Sequence, residues 1–211
     1  MRILFFFYFI LLSSACSFYT TYKGSKPVLA GDVDRTPLVE LEGLDLNVRA
    51  YNDVRDFQMV NSIILVPVYI SGKDEAVYDD QEDFFMLIGY RAYSTDFTFE
   101  PDQTFLVIGD KRLEASVEHV WINPFPNRSD KWTGFCGRPV PESYERISRD
   151  PLPQDDSDMW RCFKLKFNVP PPPPSEKFGL SIEGMSKAGT LYPIPVIWFE
   201  EYTWQHYDSA P

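Results

Sequence analysis

Few side chains in this chain could do chemistry, and its three cysteines are the most informative of them. Cys136 and Cys162 would enclose a loop of about 27 residues if they were joined. An even pair in an oxidising compartment usually forms a disulfide, and a loop of this length would stabilise the fold by roughly 3–4 kcal/mol. Two buried free thiols are the alternative. The pair therefore predicts a disulfide if the chain is exported.

Cys16 stands in a different context, at the end of a leader-like segment. Arg2 is followed by ten apolar residues at 3–12, and small residues at 13–15 separate this run from Cys16. A positive start, an apolar stretch of about 7–15 residues and a small-residue cleavage site are the parts of a secretory signal. The apolar run is shorter than the roughly 20 residues that a membrane-spanning helix needs. We therefore expect residues 1–15 to be a cleaved signal peptide.

Residues 12–16, Leu-Ser-Ser-Ala-Cys, resemble the lipobox of bacterial lipoproteins, whose cysteine becomes the lipidated first residue of the mature protein. The small residues and the cysteine match, whereas Leu12 stands one place earlier than the family's leucine, a position that Ser13 occupies here. The resemblance covers residues 1–16 and implies that Cys16 carries lipid, including palmitate. Ser17 follows the cysteine where an Asp would mark retention, which implies the outer membrane of the bacterial envelope, facing the periplasm. Ordinary secretion and an uncleaved anchor are the alternatives.

Other catalytic or metal-binding patterns are weak. His119 and His206 are the two histidines, and neither has a zinc-ligand spacing to a second histidine or cysteine. Acidic side chains at Asp155, Asp156 and Asp158 could bind calcium, which takes 6–8 oxygen ligands, but they do not fit the twelve-residue calcium loop. We therefore expect no cofactor, no catalytic residue and no metal, with these acids as weak calcium candidates.

Aromatic and arginine side chains concentrate in and beside a proline-rich insertion near residues 123–158. These residue types dominate binding hot spots, and loops of this length are commonly functional or disordered. We expect a surface here for a protein or glycan partner; the alternative is a bridged loop that packs its rings over an open end of the sandwich. The candidate partner-binding residues are Trp121, Phe125, Trp132, Phe135, Arg138, Tyr144 and Trp160.

The charge balance excludes one class of partner. The formal net charge is −11, and it becomes −12 when Arg2 leaves with the leader. A surface of this sign repels the phosphates of nucleic acids and offers no basic patch to anionic lipid. Removing 15 of 211 residues leaves 196, a length that suits one domain with insertions, and the aromatic content of 16% indicates a sizeable core.

The elements that must position these residues are strands. Apolar and polar residues alternate with a period of two at 44–50 and at 163–169, a pattern typical of half-buried strands. Residues 62–70 form a continuous apolar run that predicts a central strand, with Pro67 indicating an edge or a bulge. Gly109-Asp110 predicts the turn of a hairpin over residues 104–122.

The predicted fold is all-β, an antiparallel β-sandwich of about 7–9 strands. We assign residues 1–15 to the signal peptide, 16–37 to a lipidated tether of low periodicity, and 38–211 to the sandwich. Two insertions, near 71–83 and 123–158, interrupt the strand pattern.

The segment Phe97-Thr98-Phe99-Glu100-Pro101, which leads into the Gly109-Asp110-Lys111 hairpin, is similar to the telokin-like, immunoglobulin-like sandwiches of bacterial extracytoplasmic lipoproteins. The resemblance spans roughly residues 38–200. It implies a binding or structural module and carries no functional residues across. Together with the lipobox and the insertion at 123–158, it leads us to expect a non-enzymatic, lipid-anchored envelope protein that binds a protein or glycan partner or supports an envelope assembly. The alternatives are an envelope hydrolase that uses paired carboxylates, for which the fold must bring two acids to about 5–9.5 Å, and a carrier of calcium or a small ligand.

Overall fold

A computed structural model describes residues 17–28, 38–63, 66–71, 75–76, 83–123, 135–136 and 159–209. Among these, the one helical element is a 3₁₀ turn, Pro101–Gln103, and no helix has the length and apolar character needed to cross a membrane. The strands are β1 (Ser17–Pro27), β2 (Leu38–Leu41), β3 (Leu44–Ala50), β4 (Val54–Ile63), β5 (Val66–Ser71), β6 (Glu75–Ala76), β7 (Phe84–Ala92), β8 (Phe97–Phe99), β9 (Thr104–Ile108), β10 (Lys111–Glu114), β11 (Ser116–Asn123), β12 (Trp160–Phe167), β13 (Phe178–Ile182), β14 (Met185–Lys187), β15 (Thr190–Leu191) and β16 (Ile197–Ser209).

The strands form two large antiparallel sheets and one small one. The eight-stranded sheet runs β10-β9-β13-β16-β1-β4-β5, with β6 also paired to β4, and the five-stranded sheet runs β11-β12-β7-β3-β2. The small sheet is β15-β14-β8. The all-β class and the sandwich-like arrangement are therefore confirmed, whereas the immunoglobulin-like topology stays a prediction. The strands outnumber the predicted 7–9 because several, such as β6 and β15, are too short to show a period in the sequence.

The main core lies against one face of the five-stranded sheet. Alternate residues of β3, β7 and β12 point into it, which is the period of two expected of pleated strands. Side chains from β9, β13 and β16 in the eight-stranded sheet complete it. Phe163 shows the packing: its ring meets Phe99 edge-on at 5.0 Å and stacks on Tyr90 at 6.0 Å. Such offset and edge-to-face pairs suit the quadrupole of aromatic rings.

The first described strand corrects the tether prediction. Ser17–Pro27 is β1, which pairs with β16 along its whole length and with β4 from Ser17 to Lys23. The segment is rich in Ser, Thr, Lys and Gly, a composition that resembles a linker, but pairing on both sides satisfies its backbone groups. A strand therefore starts one residue after Cys16, and the remainder of the predicted tether lies largely outside the described residues.

The apolar run at 62–70 is not one central strand. It contains the end of β4 and most of β5, which is an edge strand. β4 ends at Ile63 and β5 begins at Val66, and the two strands pair with each other. β5 is the last strand of its sheet in the described part of the chain, so Pro67 lies on an edge, where a missing backbone donor is tolerated. The central-strand prediction was wrong because positions 64–65 in the sequence, between the two strands, are Ile and Leu and not residue types that usually mark a strand break.

The predicted turn at Gly109-Asp110 is confirmed, but the hairpin is shorter than expected. Gly109 has a φ of +55°, and β9 pairs with β10 only up to Glu114. The chain then crosses to the other sheet, where β11 pairs with β12. A β-bulge between Val117 and His119 shifts the register there, so His119 lies opposite Lys164 and out of phase with Val117.

Candidate functional site

Cys136 and Cys162 form the predicted disulfide, with Cα atoms 5.6 Å apart. Cys162 lies on β12, on the face of the five-stranded sheet that points away from the main core. Both cysteines are buried in a small second cluster with Leu87, Trp121 and Trp160. We call this disulfide-bearing surface the outer face, and the opposite surface the inner face.

Gly89 of β7 makes room for the disulfide. A Cβ atom at this position would lie 2.6 Å from the sulfur of Cys136 and 3.1 Å from the ring of Trp160. Gly89 pairs directly with Cys162 across the ladder, so the bridge sits on the backbone of β7. No other residue could occupy this position without displacing the bridge.

Three of the seven candidate partner-binding residues fall within the described residues, and they surround the disulfide. The indole nitrogen of Trp121 donates a hydrogen bond of 2.9 Å to the carbonyl oxygen of Cys136. Phe135 is partly buried and stacks on Trp160 with ring centroids 4.8 Å apart. Trp121 and Trp160 are almost fully buried, which indicates a packing role for their rings. The other four, Phe125, Trp132, Arg138 and Tyr144, lie outside the described residues, as do Asp155, Asp156, Asp158 and Cys16.

Beside the disulfide, the outer face carries a charged group that is half open to solvent. A guanidinium nitrogen of Arg91 lies 2.6 Å from a carboxylate oxygen of Asp45, and the hydroxyl of Tyr93 donates a 2.5 Å hydrogen bond to the same oxygen. The guanidinium also lies over the rings of Tyr93 and Trp160, at 5.5 and 5.2 Å. The hydrogen bond to Asp45 raises the pKa of Tyr93. Tyr93 is 57% exposed, so its ring is accessible to a partner.

A second polar group lies where β3 meets the long strands of the other sheet. Arg49 donates a 2.8 Å hydrogen bond to the hydroxyl of Tyr202 and an ion-paired one to Asp53. Its guanidinium also lies 5.9 Å from the ring of Trp204. Burial raises the pKa of Asp53 against the opposing effect of Arg49. Buried charges persist only when paired in this way.

Gly24 of β1 leaves room for the side chains of this polar group. A Cβ atom at Gly24 would lie 2.1 Å from a carboxylate oxygen of Asp53 and 3.1 Å from Trp204. Close by, the side-chain amide of Asn52 donates hydrogen bonds to the hydroxyl of Ser25 and to the carbonyl of Pro172, at 2.8 and 2.9 Å. These contacts fasten β1 to the end of β3.

The buried carboxylates of the outer face are each held by a separate arginine. Asp45 pairs with Arg91, and Asp53 pairs with Arg49. Within the described residues there is also no group of three or more His, Cys, Asp or Glu side chains arranged to hold a metal ion.

The burial of the polar residues of β3 was not predicted from the sequence. Its alternation predicted a half-buried strand with Asp45, Asn47 and Arg49 facing solvent, yet all seven residues of the strand are buried. The one signal in the sequence was an arginine at 49 with an aspartate at 53. At the end of a strand, that spacing does not predict an ion pair. Tyr93 also carried no distinguishing pattern.

The chain matches no protein-family model, no curated protein and no solved structure.

Proposed function

We propose that this protein is a non-enzymatic, lipid-anchored module of the bacterial cell envelope that binds a protein or glycan partner on its outer face. The observation that carries the proposal is the Cys136–Cys162 disulfide, since such bridges persist in oxidising, extracytoplasmic compartments. Export in turn supports the interpretation of residues 1–15 as a signal peptide. Because two of the three cysteines are bridged, Cys16 is the odd one, and lipidation accounts for it.

The outer face supports the choice of binding surface. β11 and β12 are paired where the insertion leaves and returns, with Asn123 opposite Trp160, and the disulfide ties the middle of the insertion to the same sheet. The five-stranded sheet therefore holds the insertion at its two ends and at Cys136. Tyr93 and Arg91 lie on that face beside Trp160, and these residue types are enriched in binding hot spots.

Lipidation is tested by labelling cells with radioactive palmitate. The full-length protein is expected to take up label, and Cys16→Ala is expected to lose at least nine-tenths of it. The matched control is Cys136→Ala with Cys162→Ala, which keeps Cys16 and is expected to keep the label. Equal labelling of wild type and Cys16→Ala, or none in either, contradicts the lipid anchor.

The binding surface is tested by placing a photo-crosslinking amino acid at position 93 of the full-length protein in living cells. A discrete adduct, either a protein or a glycan, is expected. Position 198 is the control, because Trp198 is an exposed aromatic residue on the eight-stranded sheet, at 38% exposure. An adduct at 198 and none at 93 would move the partner surface to the other sheet.

A further inference from the structure

The β4–β5 hairpin extends beyond the point at which the described chain begins. Ser17, the first residue of β1, lies opposite Val60 of β4. β4 continues for three more residues to Ile63, and β5 returns from Val66, with Ile63 and Val66 paired. At about 3.4 Å per residue, the end of the hairpin reaches roughly 10 Å past Ser17.

The chemistry of this hairpin end is unlike that of an ordinary turn. Ile63 and Val66 flank the connection, and the two connecting positions in the sequence are Ile64 and Leu65. Hairpin connections of two residues normally carry Asn, Asp or Gly, which tolerate the required backbone angles and face water well. No charged residue occurs from position 57 to position 72, although 24% of the chain is charged.

The position of the apolar end coincides with the position of the proposed lipid. Cys16 precedes Ser17, so their Cα atoms are about 3.8 Å apart. Acyl chains on Cys16 would therefore leave the protein from the same end of the sheet as Ile63 and Val66. Since β1 is a strand and not a tether, the described sheet begins directly at the lipid. Apolar elements that lie in a membrane interface reach about 5–10 Å into it, which matches the projection of the hairpin.

From this geometry we propose that the end of the β4–β5 hairpin, at Ile63 and Val66, inserts into the phospholipid layer that receives the lipid of Cys16. The inference rests on the proposed lipid anchor and adds to it a second membrane contact made by protein. Together the two contacts would fix the orientation of the domain and direct the far end of its sheets away from the bilayer.

The test uses the full-length protein in its own membrane, with a photo-crosslinking amino acid at position 63 or 66. Phospholipid adducts, detected by mass spectrometry, are expected at both positions. Position 209 is the matched control, because Ser209 also lies opposite Ser17 but on β16. Position 110, in the exposed turn between β9 and β10, is the distant control. We expect at least fivefold more lipid adduct at 63 and 66 than at 209, and none at 110.

Each outcome decides the inference. Equal lipid adducts at 63 and 209 mean that the lipid of Cys16 merely holds this end near the bilayer, and this overturns insertion. Adducts to a second copy of the chain or to another protein, in place of lipid, overturn it as well. Palmitate uptake measured on the same samples separates the two proposals: labelled protein without lipid adducts at 63 and 66 refutes insertion and leaves the anchor intact. Resistance of Cys136 and Cys162 to alkylation shows that the disulfide has formed in each variant.

Discussion

The two faces of the five-stranded sheet are built from the same strands but are stabilised by different means. On β7, Phe84, Met86, Ile88 and Tyr90 enter the main core, whereas Leu87, Gly89 and Arg91 belong to the outer face. The inner face is closed by apolar side chains and aromatic rings. The outer face is closed by a disulfide, two tryptophans and paired charges. Successive side chains of a strand point to opposite faces. The same strands therefore contribute to one layer that is stabilised by apolar burial and to another that is stabilised by a disulfide and ion pairs.

The difference shows where this protein could vary without losing its fold. Side chains from both large sheets pack against the inner face, so a change in side-chain volume there affects many neighbours. The outer face depends on a few specific contacts around Cys162 and Arg49, and it exposes Tyr93.

The largest expected effect comes from opening a cavity on the inner face. Phe163→Ala removes a fully buried ring that contacts Phe99 and Tyr90, and we expect a loss of about 3–5 kcal/mol of unfolding free energy. The neighbouring Lys164→Ala on the outer face, which removes a half-exposed ion pair with Glu118, is the control and is expected to cost less than about 1 kcal/mol. Urea unfolding measures both. Equal losses would mean that the two faces are not energetically distinct.

Removing the bridge tests the outer face directly. Cys136→Ser with Cys162→Ser releases a loop closed over a sequence separation of 26, and we expect a loss of about 3.5 kcal/mol. Because the bridge mainly restricts the unfolded chain, the reduced wild-type protein is expected to lose a similar amount. Thermal unfolding with and without reductant provides the measurement. A wild-type protein whose midpoint ignores reductant would show that the outer face does not need the covalent bond.

Alkaline pH is expected to destabilise the inner face through Tyr90. Burial raises the pKa of Tyr90 to about 12 from 10.0, although Arg161 acts in the opposite direction. The folded protein therefore resists ionisation that the unfolded chain permits, so stability that is complete below pH 10 is lost as the pH rises through 12. The span corresponds to roughly 2–3 kcal/mol.

Tyr90→Phe isolates this effect, because it removes the ionisable hydroxyl and keeps the ring. The difference in unfolding free energy between wild type and Tyr90→Phe is expected to be constant up to pH 9.5 and then to shift against the wild type. Chemical unfolding at pH 8 to 12 measures it. Parallel curves over the whole range would show that the main core does not oppose a charge at this position.

A smaller loss of stability is expected from a substitution at Gly89, which lies directly beneath the disulfide. Gly89→Ala forces a methyl group against the sulfur of Cys136 and the ring of Trp160, and we expect a loss of about 1–3 kcal/mol. In the background Cys136→Ala with Cys162→Ala, the same change is expected to cost at least 1 kcal/mol less, because the sulfur atoms are gone. An equal cost in both backgrounds would assign the loss to Trp160 or to the strand itself.

Much of the inner face could be predicted from the sequence. The alternation at 44–50 and 163–169 predicted β3 and most of β12, since a strand repeats every two residues wherever one face is buried. The Gly109-Asp110 turn was predicted for a local reason, namely the positive φ that glycine permits. The disulfide followed from the cysteine count and the inferred compartment.

The outer face could not be predicted in the same way. Asp45, Asn47 and Arg49 have the spacing of solvent-facing residues. Among the described residues, Tyr202 and Trp204 from a distant strand contact Arg49, and Arg91 contacts Asp45. β1 carries the composition of a linker, and its pairing with β16 joins residues about 180 positions apart. No local pattern reports a partner so distant.

The sequence alone showed that this protein is acidic and predicted that it is all-β and disulfide-bonded, because charge, residue periodicity and cysteine count are local or additive properties. Tertiary structure alone decided which polar side chains are buried, that β1 begins beside Cys16, and that the apolar run at 62–70 turns back on itself as an edge hairpin. The reason is that burial depends on what packs across a strand, and strand pairing depends on segments far apart in the chain. The proposed contact of the β4–β5 hairpin with the membrane rests on that pairing.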